Sequence, residues 1–383
     1  MTTPDQSNPL YFGNPLRSWT NPDILYDARL RCAFEAEHPD EYAVVDWPEL
    51  RAAFQVHEDR AKTFKKRSRG LGLRVTLLAG LGAALVPLSE LLQGQTRMVV
   101  LALALGAMIA GFVLAIWHMT HSGGQRSWLS DRLQAERLRA GYFHTLIEHF
   151  ALADRARTNP EAKAAWARVR SDALRDMSAR LRQEADQGWD RWLQDGALHD
   201  VWATGAVPPD LDRLQARITA EAQAAPDRFA FVSRRVHQQR LQVQQAFSAL
   251  ATLPSTGTAQ GRQGLITALE HAGVLATPVF AVLAAIEVIR TAGSPGPWLV
   301  LMGAASAIGL TMRLLDKGLR IRAEAYRYWD YRQRVAQANA AYDDAYRRGD
   351  VGGQVGAMFA LERHAYWETR QFLLDHRDAR FLD

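Results

Sequence analysis

The sequence predicts an all-α integral membrane protein with four transmembrane helices, arranged as two hairpins and joined to long cytoplasmic helices. Three observations carry this reading. Residues 98–117, MVVLALALGAMIAGFVLAIW, run for 20 residues without a charge. As a helix that is about 30 Å, the thickness of a hydrocarbon core. Three further apolar segments accompany it, so the apolar residues are clumped although the chain as a whole is only 48% hydrophobic and is 23% charged. Runs that alternate with strand period are missing, which leaves helix as the regular structure of the polar parts as well.

The first 50 residues, with YFGNPLRSWTNPDILYDARLR, are of mixed character and are expected to hold short helices covering those that follow. Residues 51–150 form a first unit. A polar helix, RAAFQVHEDRAKTFKKRSR (51–69), leads into a span at 75–92, VTLLAGLGAALVPLSELL. A five-residue connector, QGQTR, forces the span at 98–117 to return antiparallel to it. Residues 151–227 are polar and helical in pattern, with Asn159 as N-cap and Pro160 in the first turn of one helix and Asp210 opening another. Residues 228–345 repeat the plan: a leading helix (FVSRRVHQQRLQVQQAFSALA, 231–251), spans at 272–289 and 298–315, and a turn-rich connector, RTAGSPGP, between them. Residues 346–383 close the chain with an amphipathic helix.

Charge sets the expected orientation. Arg60, Lys62, Lys65, Lys66, Arg67, Arg69 and Arg74 precede the first span, and Arg313, Lys317, Arg320 and Arg322 close the last, whereas each connector carries a single arginine, Arg97 or Arg290. The positive-inside rule then places both termini and the middle segment in the cytoplasm, in a bacterial inner membrane. The net charge is +5 and the pI about 9.4. Such basicity suits lipid headgroups or nucleic acid. Its place beside the spans, as in RIRAEAYRYWDYRQR, favours lipid, and no nucleic-acid partner is expected. The single cysteine, Cys32, excludes an intramolecular disulfide. MTTPDQSNPL lacks the basic and apolar regions of a secretory signal.

Internal repetition is the strongest motif-level signal. QAERLRAGYF (134–143) and RAEAYRYWDY (322–331) both follow an apolar pair. Glu136 and Arg139, like Glu324 and Arg327, are three apart and share a helical face. The aromatics that follow, Tyr142 with Phe143 and Trp329 with Tyr331, offer a packing surface. In the second leading helix Phe231, Arg235 and Gln239 stand at i, i+4 and i+8. Each first span holds a proline (Pro87, Pro278) and a glutamate near its outer end (Glu90, Glu287). Small residues at four-residue spacing, including Gly80 with Ala84, Ala102 with Gly106 and Ala110, and Ala305 with Gly309, are candidate helix-packing positions.

The unit of FVSRRVHQQRLQVQQAF, tight hairpin and WLSDRLQAERLRAGYF or LRIRAEAYRYWDYR resembles the SLATT families, two-transmembrane effector domains of bacterial conflict systems. The resemblance covers about residues 50–150 and 228–345. It implies an effector that forms pores or perturbs the membrane, as a homo-oligomer in the bilayer, triggered by a nucleotide signal or a partner protein. This chain departs from that plan in having two hairpins and no nucleotide-sensing domain.

Catalytic signatures do not emerge. The glycines of GTAQGRQG (257–264) lack a phosphate lysine and read as a loop. His118 and His121 lack supporting ligands for a metal. Trp189 and Trp192 read as core, and Asp343 with Asp344 as a solvated face. No enzyme activity, cofactor or metal is expected. Glu90 and Glu287, with Pro87 and Pro278, are the candidate pore or gate residues, since ionisable groups at spans are costly and rings of them favour cations. A membrane-anchored scaffold or sensor is the alternative.

Overall fold

The computed structural model describes residues 19–25, 27–120, 124–187, 211–255, 257–291 and 296–377. These residues form an all-α protein, and no β-strand occurs among them. A short turn of helix at Pro22–Ile24 precedes α1 (Ala28–Glu37) and α2 (Pro39–Val45). Then come α3 (Pro48–Ser89), α4 (Gly94–Thr120), α5 (Gly124–Glu148), α6 (Phe150–Ala156), α7 (Pro160–Gln187) and α8 (Leu211–Ala224). After α9 (Pro226–Val236), a π-helical turn at His237–Leu241 and α10 (Gln242–Ala251), the chain continues through α11 (Ala259–Thr291), α12 (Gly296–Leu319), α13 (Ile321–Arg347) and α14 (Val351–Arg377).

Four of these, α3, α4, α11 and α12, are long and apolar enough to cross a membrane. The expected leading helix and first span fuse into one, because α3 runs 42 residues without a break. Its counterpart breaks between Ala251 and Ala259. Pro254 removes a backbone donor there, and the Thr258 hydroxyl accepts from the Gly261 amide at 3.2 Å, capping α11. A Cβ on Gly261 would stand 1.9 Å from the Ser255 carbonyl, so only glycine fits this turn. Residues 259–264, expected as loop, are therefore the first turns of α11. Each returning helix opens on a glycine in the left-handed region, Gly94 (φ +57°) and Gly296 (φ +51°).

The spans stand in a row in the order α4–α3–α12–α11. Within each hairpin a glycine lets two backbones meet. A Cβ on Gly82 would lie 2.9 Å from the Ala104 carbonyl oxygen, and one on Gly273 would lie 2.7 Å from that of Ala305. Between hairpins, Gly80 faces the Thr311 side chain and Gly303 faces Pro87. The outward faces of α4 and α11 carry Leu103, Ile109 and Phe112, and Leu275, Val279 and Val282, as a lipid-facing surface requires.

The remaining helices pack into one body with a continuous core. Trp47, Phe54, Phe143, Trp166, Phe229 and Phe359 are among its large buried side chains. The expected N-cap is present: the Ala162 amide donates to Asn159 Oδ1 at 3.0 Å. The N-terminal segment closes over the body, with Trp166 Nε1 donating to the Val44 carbonyl at 2.9 Å and the Tyr142 hydroxyl donating to that of Val45 at 2.7 Å. The last helix, α14, is internal, with Val355, Met358, Phe359 and Leu361 buried. Trp189, Trp192, Asp210 and His121 lie outside the described residues, as does the side chain of His118.

Candidate functional site

A buried network of charge joins the body to the spans. It begins at the first Ala-Glu-x-x-Arg motif on α5. Arg139 donates to both oxygens of Glu136 at 2.9 Å, the pairing expected from their spacing. Arg132 pairs with Glu136 at 2.5 Å and with Glu58 of α3 at 3.0 Å. On its other side Arg139 lies 3.2 Å from Asp23, which also meets Arg240 at 3.3 Å. Arg240 in turn donates to both oxygens of Glu362 on α14, at 2.6 and 3.1 Å. Burial opposes the charge on Glu58, but Arg132, Arg139 and Lys62 outweigh it and hold the carboxyl at about 2.

The second motif works differently. Glu324 lies in the first turn of α13, whereas Glu136 lies three turns into α5, so the repeated letters meet different neighbours. Glu324 accepts from Arg69 at 2.8 Å, Lys65 at 3.4 Å and Arg262 at 3.3 Å. Its carboxylate is 2% exposed. Burial would raise its pKa, but Arg69, Lys65, Arg262 and Arg327 together hold it well below the usual carboxylate range. Arg327 points instead to α14, donating to Glu368 at 3.1 Å and Asp375 at 2.6 Å. Lys65 is lowered to about 7 by burial and by Arg69, against the pull of Glu324. One carboxylate thus ties three helices together where they enter or leave the spans: α3, α11 and α13.

Of the aromatics behind the motifs, Tyr142, Phe143 and Tyr331 are buried, but Trp329 is exposed. Two residues apart on a helix, Trp329 and Tyr331 point to opposite faces. Arg235 and Gln239 are both buried, as their shared spacing with Phe231 requires. The Arg235 guanidinium pairs with Glu41 and lies over the Phe34 ring at 4.6 Å.

A cavity of about 210 Å³ opens beside the network, with Lys62, Lys65, Arg132, Trp19, Tyr328 and Tyr331 in its wall. Each of these three cations already holds a carboxylate: Lys62 and Arg132 meet Glu58, and Lys65 meets Glu324. No group of His, Cys, Asp and Glu that would hold a metal ion occurs among the described residues.

The candidate pore residues sit at the tight-turn ends of the hairpins. Glu90 accepts from Arg97 at 2.7 Å across the first turn, with both side chains about half exposed. The Glu287 carboxylate lies against Gly296, 3.1 Å from where a Cβ would stand, at the positive end of α12. Pro87 packs on Gly303, whereas Pro278 faces outward. Of the packing glycines, Gly80 meets Thr311 and Gly309 lies against Gly273, but nothing stands within 4 Å of a Cβ on Gly106.

Sequence reasoning missed Asp23, Glu58, Arg240, Glu270 and Glu362, all buried. Arg240 alone left a signal, standing at i+8 from Val232 and i+4 from Val236 on an apolar face. Glu270, on α11, accepts from Arg313 at 3.2 Å and also meets Arg322, joining α11 to the C-terminal end of α12 and the start of α13.

No protein-family model matches the chain, and no curated protein and no solved structure matches it either.

Proposed function

We propose that this chain is a membrane effector that forms a gated pore in a bacterial inner membrane, or perturbs it, in a defence or stress response. Both termini and the body are cytoplasmic in this reading. The observation that carries it is the Glu324 cluster. Three of the four connections between body and spans are clamped to one buried carboxylate, through Arg69, Lys65 and Arg262. A signal that rearranges the body therefore acts on both hairpins at once. The continuous α3 passes that displacement into the first hairpin without a joint. The signal is a nucleotide or a partner protein, received by the body, where the cavity offers aromatic faces beside cations that already hold carboxylates. Glu90 and Glu287, at one end of the spans, favour cations once copies surround a common path.

A second reading, a membrane-anchored scaffold, draws on a specific observation as well. A single row of four helices encloses no lumen. A pore requires more than one copy, and a scaffold does not.

Membrane potential separates the two. In cells expressing the protein, a voltage-sensitive dye is expected to report depolarisation, at rest or after phage infection. Glu90→Gln with Glu287→Gln is expected to reduce it or change its ion dependence. A membrane that stays polarised under both conditions would favour the scaffold.

A further inference from the structure

The two hairpins are the same object in register. Gly82 and Gly273 each lie five residues before the proline of their helix, Pro87 and Pro278. A Cβ on Gly82 would meet the Ala104 carbonyl and the Met108 amide, and one on Gly273 would meet the Ala305 carbonyl and the Gly309 amide. Ala104 and Met108 therefore correspond to Ala305 and Gly309, four residues apart in both cases.

This register shows what kind of contact joins the hairpins inside the chain. It lies between the first helix of one, α3, and the second helix of the other, α12. A contact between equivalent units that uses different faces is heterologous, and a heterologous contact leaves a complementary face free at each end of the row. The free ends here are α4, a second helix, and α11, a first helix.

The residues at those ends follow from the same correspondence. Gly303 and Thr311, which meet Pro87 and Gly80, stand two before and six after Ala305. Ala102 and Ala110 stand two before and six after Ala104. His271 stands where Gly80 does, and Pro278 where Pro87 does. Ala102, Gly106, Ala110, His271 and Pro278 are all exposed. The pairing of Pro87 with Gly303 becomes Pro278 with Ala102, and Gly80 with Thr311 becomes the larger His271 against the smaller Ala110. Both pairs are bulkier than their counterparts inside the chain, so the facing helices stand further apart than α3 and α12 do.

We infer that α4 of one copy docks against α11 of a second copy of this chain, Pro278 over Ala102 and His271 beside Ala110, continuing the α3–α12 interface already made within each molecule. The row then reads second, first, second, first helix across the molecular boundary without interruption. A head-to-tail contact of this kind closes into a ring or extends as a strip. The inference rests on the membrane-effector reading for its consequence, since a closed row supplies the lumen that one chain lacks. Its geometry stands on the register alone.

Disulfide trapping in membranes tests it, starting from a Cys32→Ser chain. Pro87→Cys with Gly303→Cys, inside one molecule, is the control and is expected to react. Two differently tagged copies, one with Ala102→Cys and one with Pro278→Cys, are expected to give a mixed dimer on oxidation, while neither gives a dimer alone. Both substitutions in one chain are expected to give a ladder of multimers. A reacting control with no mixed dimer, leaving lipid alone on these faces, would overturn the inference. So would a dimer of Ala102→Cys with itself, which requires a two-fold contact. Voltage-dye recordings on the same cells keep the readings apart. Trapped multimers in a polarised membrane would retain the assembly and remove the pore, and depolarisation without the mixed dimer would do the reverse.

Discussion

Glu324 and Glu90 are both carboxylates paired with arginine, and they differ in what surrounds them. Glu324 is 2% exposed and serves three cations, whereas Glu90 and Arg97 are 54% and 45% exposed at a turn. Glu324→Gln leaves Arg69, Lys65 and Arg262 without their shared countercharge and is expected to cost about 3–5 kcal/mol. Glu90→Gln is expected to cost less than about 1 kcal/mol. Denaturant unfolding in detergent, followed by helical signal, measures both. His376 supplies a pH dependence. Burial and nearby Arg327 lower it from 6.5 to about 3, while its Nδ1 lies 2.8 Å from the Phe372 carbonyl. Between those values the unfolded chain binds a proton that the folded chain does not, so stability falls as pH falls below about 6.5. Glu58 adds a second phase. Its carboxyl is depressed from 4.5 to about 2, so its contribution is complete above 4.5 and is lost towards 2. Burial also lowers His144, His237 and His364, so His376→Gln is expected to shrink the first phase of a plot of Tm against pH without removing it, and to leave the second. The partners of Glu324 were not legible in the sequence, because Lys65, Arg69 and Arg262 all lie far from it along the chain.

Helices were the most legible level. The apolar runs and the Asn159 cap fall where hydropathy and capping chemistry put them. Two features escaped. The π turn at His237–Leu241 carries no composition signal, and the break before α11 depends on a Thr258 cap that closes only when the backbone folds back on Ser255. Which small residues pack inside the chain was also hidden. Gly80, Gly106 and Gly309 look alike in the sequence, yet Gly106 faces away from the other spans. The close glycines give a test at this scale. Gly82→Leu must force α3 from the Ala104 carbonyl and is expected to cost about 1–3 kcal/mol or more by overpacking, read as a lower Tm in detergent. Gly106→Leu meets no atom of the same chain and is expected to leave that Tm unchanged.

At the scale of the whole molecule, two apolar hairpins project from one polar body, whose core draws residues from Ile24 to Leu361. Residues of the N-terminal segment, of α7 and of α14 meet in it, as Val44, Trp166 and Phe359 show. The charge bias predicts that both tight turns face away from the cytoplasm. Gln93, exposed between α3 and α4, is the place to read this. In the Cys32→Ser chain, Gln93→Cys is expected to react with a membrane-impermeant maleimide added to spheroplasts. Reaction only after lysis would invert the orientation.

The sequence by itself determined the fold class, the four spans and their pairing into hairpins. These depend on local quantities: hydropathy over a window as long as a bilayer is thick, and connectors too short for anything but an antiparallel return. Only the tertiary structure decided that Glu324 clamps α3, α11 and α13, that the second motif's arginine turns to α14, and that the hairpins meet through unlike helices. Those outcomes depend on which side chains meet once the chain is folded. Spacing along a helix shows that two residues share a face, but the partner on the other side comes from another part of the chain.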